Sequence, residues 1–519
     1  MEVNVIGPPG TGKTTWLSRQ VRGAIKSNIP GHKIVCTSLT RAAARVLVNR
    51  DLEIPEKQIG TLHALAYRAL GAPTILEVNK DLVDEWNNSV SDSFAIPKVS
   101  DSEDNFAGRI QKSGNVFEAY NLLRSRMVPR ERWPDHIAGF AKKFEKFKEE
   151  NDSPDFTDII EIALEAIPHA PGKPAVLFCD EAQDFSKLQF ALVRKWGEAT
   201  GYRFIMVGDP DQCLYEWAGA DPSSFGKGDK LTILDQSYRV PNAVHRLALA
   251  WIRNITDRVD AVYKPRDFEG EVNRHAYNFL QDTNGIIERA QDLVKDGKSV
   301  MLLASCNYQL NKILFELRHK GIAFGNRYRR AEGRWNPLAK RRGTSLIERF
   351  LRYLKPEQWT AEDVHLFIDP LRGLPRGTKK RFKKLAEDTP DLIIDNPTMQ
   401  YIFGHQIESA LARNPEVYYL NCVEARRKHL NYLMSVYENG GKEALTTEPK
   451  LTVGTIHSVK GGESDVVFLN AGVSPNAARE ALGNRAGMNA IRRMYYVGMT
   501  RAKEQLVICG QESYGVPSP

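Results

Sequence analysis

The chain of 519 residues has little that would place it in a membrane or outside a cell. No apolar run approaches the roughly 18 residues of a membrane span, and the first residues lack the basic and apolar segments of an export signal. Cysteine is scarce and dispersed. Cys36, Cys179, Cys213, Cys306, Cys422 and Cys509 stand singly, with no C-x-x-C pair. That pattern disfavours zinc modules and disulfide scaffolds and reads as reduced thiols in a cytoplasmic protein. Internal repeats and low-complexity linkers are not evident, and no second acidic cluster pairs with a lysine at a spacing useful to a nuclease. At this length one hydrophobic core is not expected, and about two to four domains are.

What the chain has in excess is positive charge. Its formal net charge is +8. Residues 326–384 alone hold 17 lysines and arginines against 6 acidic residues, with tyrosine and tryptophan interleaved. A solvated basic face and a nucleic-acid surface both account for such a stretch.

Short apolar runs alternate with helical patterns in two separate regions. "EVNVI", "KIVCTS", "AVLFC", "FIMVG" and "KLTIL" form one set, and "SVMLLAS", "LTVGTI", "DVVFLNA" and "EQLVICG" the other. Strands spaced by helices predict an α/β protein with two parallel sheets. A mostly helical, charged insert interrupts each set, at about 75–170 and 327–449. In the first, "FAKKFEKFKEEN" carries an apolar stripe at Phe140, Phe144 and Phe147.

The first strand runs into "GPPGTGKTT", which fits the phosphate-loop pattern through Gly7, Gly12, Lys13 and Thr14. Glycines at these positions, with Gly10 and Thr11 between them, let backbone amides curl around a phosphate at a helix N-terminus. Lys13 is then expected to reach the β/γ-phosphates and the Thr14 hydroxyl to hold Mg²⁺. "VLFCDEAQD" places Asp180 and Glu181 at a strand end, where an acidic residue can support that metal and another can orient or deprotonate water. Gln212 of "VGDPDQCLYEWAGAD" follows another strand end and is a candidate γ-phosphate sensor. Tyr215 and Trp217, a few residues on, are either core aromatics or exposed platforms for stacking bases.

The ordered set of "GPPGTGKTT", "TSLTRAAARVL", "IGTLHALAYRAL", "DEAQD", "GDPDQCLYEWAGAD", "LDQSYRVP", "GTIHSVKGGESDVVFL" and "RRMYYVGMTRAKEQLVI" resembles superfamily 1 DNA helicases of the UvrD/Rep/PcrA type. The resemblance implies two RecA-like P-loop cores. The first comprises residues 1–74 and 171–235 around an insert called 1B (75–170). The second comprises 236–326 and 450–519 around a basic insert called 2B (327–449). It further implies a monomeric ATP- and Mg²⁺-dependent motor that moves 3′ to 5′ on single-stranded DNA, binds single-strand/duplex junctions and unwinds duplex.

By the same resemblance, Thr14 and Asp180 bind Mg²⁺, and Thr15 belongs to the nucleotide loop. Glu181 is the catalytic base and Gln212 the γ-phosphate sensor, while Arg239 and Arg501 bind the γ-phosphate. Tyr238 stacks adenine, Glu463 lies near the ribose, and Thr61, His63, Tyr215, Trp217, Thr455 and His457 touch single-stranded DNA. Departures from the family pattern are Leu39 in place of a base-stacking aromatic, Ala42 for lysine, Ala218 for arginine, and Gly462 and Ser464 for Leu and Phe. A glutamine that reads adenine usually precedes the loop. With the loop starting at residue 7, weak base selectivity is the expectation, and the short stretch after "LVICG" fits a compact, phage- or mobile-element type. Two other readings stay open: a translocase that strips proteins or serves a nuclease partner, and a nucleotide-gated DNA-binding protein. Strand displacement without partners and DNA-stimulated phosphate release separate them.

Overall fold

The computed structural model describes residues 1–39, 52–97, 115–201, 203–256, 258–326, 336, 338, 345–354, 358–403, 420, 422–510 and 514–519. Ala42, Arg341 and Arg342 therefore lie outside the described residues, as does much of the basic stretch.

Six strands make the first sheet: β1 (Glu2–Ile6), β2 (Ile34–Ser38), β3 (Ile59–Thr61), β4 (Val176–Asp180), β5 (Arg203–Gly208) and β6 (Lys230–Ile233). They run in the order β3-β2-β4-β5-β1-β6, and every pairing is parallel. Alternate side chains of these apolar strands go to opposite faces. Val176 and Phe178 pack with Leu17 and Val21 of helix α1 (Lys13–Lys26). Leu177 and Cys179 pack on the other face with Leu62, Leu65, Ile159, Phe185 and Trp196. Both faces are covered, which is why the central strands β4 and β5 read as nearly continuous apolar runs. In register, Ser38 lies beside Asp180 and Ile6 beside Gly208, so the carboxyl ends of these strands share one edge.

The second sheet has five strands: β7 (Glu271–His275), β8 (Val300–Ala304), β11 (Leu451–Thr455), β12 (Ser464–Asn470) and β13 (Ala502–Cys509). Their order is β11-β8-β12-β13-β7, and β12 with β13 and β13 with β7 pair in parallel. Between β8 and β11 in sequence, β9 (Trp359–Thr360) and β10 (Ile393–Ile394) form a separate antiparallel pair. Two parallel sheets flanked by helices are thus the architecture that the apolar runs predict. Two strands of it escape that reading. β3 has only three residues before its helix begins, and the edge strand β7 has one aliphatic residue, Val272, in "EVNRH".

Chain contacts divide the protein into two units, Met1–Ala276 with Leu303–Cys306 and Thr455–Pro519, and Tyr277–Leu302 with Asn307–Gly454. In the first unit, described residues between Leu76 and Phe144 build a core around Trp86, Phe117, Tyr120, Phe140 and Phe144. Phe140 and Phe144 stack with ring centroids 5.3 Å apart on the helix Asp135–Glu150, while Phe147 is only partly buried. Next to it, Asp155 caps the helix Phe156–Ala166 and accepts hydrogen bonds from Arg124 and Lys148, each at 2.7 Å. In the second unit, Tyr353, Trp359 and Phe367 pack together, and the helix Glu424–Thr446 kinks at Gly441. No helix among the described residues is long and apolar enough to cross a membrane.

The stacked pair gives a stability prediction. Phe144→Ala should lower unfolding stability by about 3–5 kcal/mol, as loss of a fully buried aromatic does, and Phe147→Ala by clearly less. Denaturant unfolding of the two variants checks the order.

Candidate active site

The loop after β1 is held at both ends. Gly7 N donates to Gly208 O at 2.9 Å, and Thr11 Oγ1 donates to Pro8 O at 2.9 Å. Gly10 and Gly12 have φ of 74° and 76°, the left-handed region that disfavours side chains. A Cβ on Gly10 would lie 2.5 Å from the Cβ of Arg239. Lys13 Nζ turns back into the loop and donates to Gly7 O at 2.7 Å. Burial lowers its pKa, against the attraction of Glu181, Asp209 and Asp180. Thr14, and the exposed Thr15 after it, open α1.

Because β4 lies two places from β1, its last residue reaches the start of α1. Asp180 Oδ2 accepts from Thr14 Oγ1 at 3.4 Å, and Asp180 Oδ1 accepts from Glu181 N at 3.0 Å. Burial, then the charge of Glu181, pushes the Asp180 carboxyl up to about 7. Glu181 itself sits in the left-handed region at φ 53°, a costly conformation for a non-glycine residue. Burial raises its pKa, but Lys460, Lys13 and the Gln183 amide outweigh that and hold it below the usual range. Gln183 Nε2 donates to Glu181 Oε2 at 2.5 Å, and Lys460 Nζ lies 3.9 Å from the same oxygen while pairing closely with Asp184.

A hydroxyl and a buried carboxylate beside a second carboxylate make a hard oxygen set suited to Mg²⁺. The cradle of amides with Lys13 suits a polyphosphate. The residues present therefore fit both groups.

The segment after β5 carries the next components. Gln212 Nε2 donates to Asp209 Oδ2 at 2.6 Å, and Arg501 Nη2 donates to Gln212 Oε1 at 3.1 Å. Arg501 is 1% exposed, and burial followed by repulsion from Arg239 lowers it to about 9. Arg239 reaches the phosphate loop's flank and donates from Nε to Glu463 Oε2 at 2.7 Å. Tyr238 N donates to Gly10 O at 2.9 Å, and its ring is 72% exposed. Gly462, one of the departures noted above, offers its carbonyl to Arg501 Nη1 at 3.2 Å. Leu39, another, packs on the core of the first sheet.

Tyr215 and Trp217 are half-buried, with ring centroids 6.2 Å apart, and His457 lies 6.4 Å from Tyr215. Trp217 Nε1 donates to Leu214 O, which fixes the indole. The Thr61 hydroxyl accepts from Ala64 N and the Thr455 hydroxyl from Ser458 N, each at 3.2 Å, so each caps the turn after its strand. Both belong to the same four-residue pattern, "GTLH" at 60–63 and "GTIH" at 454–457, a repeat too short to stand out in the sequence. His63 meets the half-exposed ring of Phe156 edge-on at 6.4 Å, and burial lowers its pKa to about 4. Phe156, Asp184 and Lys460 join the site only in three dimensions. The only available signals were an aromatic opening a helix and the charged positions inside "DEAQD" and "HSVKG".

Two family models match the chain: UvrD/REP helicase N-terminal domain over residues 1–231, and UvrD-like helicase C-terminal domain over residues 420–513. DNA helicase II of Salmonella typhimurium (strain LT2) is 23% identical over 626 residues, covering 99% of this chain and 84% of that protein. DNA helicase II of Escherichia coli (strain K12) gives 23% over 625 residues with the same coverage. The Gabija protein GajB of Bacillus cereus (strain VD045) is 21% identical over 508 residues, covering 96% of this chain and 91% of that protein.

The close approach at Gly10 predicts that Gly10→Ala costs about 1–2 kcal/mol in backbone strain, and more for the clash of the new methyl with Arg239 and Ser237. It should also weaken nucleotide binding by displacing Arg239. Thermal melting with and without nucleotide checks both effects.

Proposed function

Since the chain belongs to the UvrD/Rep/PcrA type of superfamily 1 DNA helicases, we propose that it is an ATP-driven motor that moves 3′ to 5′ along single-stranded DNA and separates duplex. One observation carries this reading. A single segment, residues 209–217, presents Gln212 to Arg501 at one end and the Tyr215–Trp217 pair beside His457 at the other. Hydrolysis and base stacking therefore share one short piece of chain.

In this account the loop amides and Lys13 hold the phosphates of ATP, and the exposed Tyr238 ring stacks on the base. Thr14 and Asp180 hold Mg²⁺, which supplies neutralisation of the phosphate charge when bound. Glu181, kept ionised by Lys460 and Lys13, accepts a proton from the attacking water. Arg239 exchanges Glu463 for a phosphate oxygen, and Arg501 and Gln212 meet the γ-phosphate together. Charge-assisted bonds of this kind form only around the anion, so hydrolysis releases them and lets the segment 209–217 shift. Thr61, His63, Phe156, Tyr215, Trp217, Thr455 and His457 form the track, where each stacked base contributes about 1–3 kcal/mol. The inserts at 75–170 and 327–449 serve as accessory domains 1B and 2B. On the second, the helix Thr378–Asp388 exposes Lys380, Arg381, Lys383 and Lys384 around a buried Phe382, a surface suited to duplex phosphates.

Three outcomes are expected. Lys13→Ala and Glu181→Gln should abolish ATP turnover while single-strand binding persists, measured by phosphate release and fluorescence anisotropy. Trp217→Ala should keep hydrolysing ATP but unwind poorly, because a stacking contact of about 1–3 kcal/mol is lost where the base is held. Replacing Lys380, Arg381, Lys383 and Lys384 with Gln should flatten the salt dependence of duplex binding, by about 0.9 in log–log slope per phosphate contact removed. An unchanged slope would make that helix merely a solvated face.

A further inference from the structure

The segment 209–217 is attached at more points than the nucleotide chemistry requires. At its start, Arg258 forks onto Asp211 with contacts of 2.7 and 3.0 Å, both side chains nearly buried. At its end, Glu216 pairs closely with Nη1 of Arg493, a residue 7% exposed on the helix Arg485–Met499. That helix runs unbroken from Arg493 to the turn that carries Arg501. The two arginines are thus fixed to one rigid element, and Gln212 and Glu216, the residues they meet, sit four apart on one loop.

The two ion pairs differ in quality. Arg258 uses its fork fully on Asp211 and Asp260. Arg493 gives Glu216 one contact and leaves its buried Nε without a hydrogen-bond partner. A guanidinium kept only for stability gains most from bidentate pairing, and a buried donor left unpaired costs free energy. The pair is anchored but incomplete. Meanwhile Arg126 Nη2 holds the carbonyl of Glu216 at 3.2 Å, so the loop can pivot there without coming loose.

We propose that Glu216 and Arg493 are positioning residues that transmit movement of the helix leading to Arg501 to the Tyr215–Trp217 loop, so that DNA on that loop accelerates hydrolysis. Neither touches phosphate or base in this account. The proposal rests on the reading of the chain as a DNA-dependent ATPase.

The test is steady-state phosphate release by the full chain with and without oligo(dT), for wild type, Glu216→Gln, Arg493→Gln and Arg493→Lys. The quantity read is the ratio of the two turnover numbers. Glu216→Gln and Arg493→Gln should each lower that ratio about tenfold, a usual size for coupling between sites, while the DNA-free rate and the affinity for oligo(dT) stay close to wild type. Arg493→Lys should keep most of the ratio, because a single cationic contact is all that the pair uses. An unchanged ratio in the Gln variants would overturn the proposal. So would a DNA-free rate that falls by the same factor, since that marks a merely structural pair. If oligo(dT) fails to stimulate the wild type, the helicase reading fails instead.

Discussion

A buried guanidinium organises this site. Arg501 is surrounded by protein, yet its hydrogen bonds go to neutral oxygens: the carbonyls of Val497 and Gly462, the Thr500 hydroxyl and the Gln212 amide. Glu181 and Glu463 act on it only through space, and Arg239 opposes them. Taking a full charge out of water without a bonded carboxylate is costly, and the depressed pKa of Arg501 expresses that cost. A multiply charged anion is the kind of partner that would best relieve it.

The remainder of the first unit serves that requirement. Parallel strands put their carboxyl ends on one edge, so the loop after β1, the Asp180–Glu181 pair at the end of β4 and the Gln212 segment after β5 converge although they lie far apart in sequence. Short strands whose two faces are both buried leave these loops little freedom, and the Gly7–Gly208 hydrogen bond joins two of them directly. Strain is placed where the chemistry is. Glu181 is held left-handed by its own bond to Asp180 and by Gln183 and Lys460, which fixes a carboxylate that a relaxed backbone would let swing.

Much of this was legible in the sequence, for a physical reason. A phosphate loop, a strand-end acidic pair and "GDPDQCLYEWAGAD" are local solutions to local geometry, so residue type and spacing carry them. The central strands were legible because burial on two faces demands unbroken apolar runs, whereas β7 at an edge and the three-residue β3 leave no such trace. Contacts made across the fold left none either. Lys460 with Asp184 and Arg493 with Glu216 span nearly 280 positions each, and nothing near any of the four residues specifies its partner. Phe156 looks like any aromatic at a helix start until the fold sets it against His63. The departure at Gly462 also gains a meaning only in three dimensions, since its carbonyl, not a side chain, supports Arg501.

Coupling of events around Arg501 to movement along DNA is the step on which the proposed motor rests. Its most direct test is pre-steady-state translocation on single strands of graded length labelled with a fluorophore at the 5′ or the 3′ end. On addition of ATP, the 5′ label should report arrival after a lag that grows in proportion to strand length, while the 3′ label reports departure without one. Signals independent of length at both ends would contradict the account and leave a nucleotide-gated DNA-binding protein in its place.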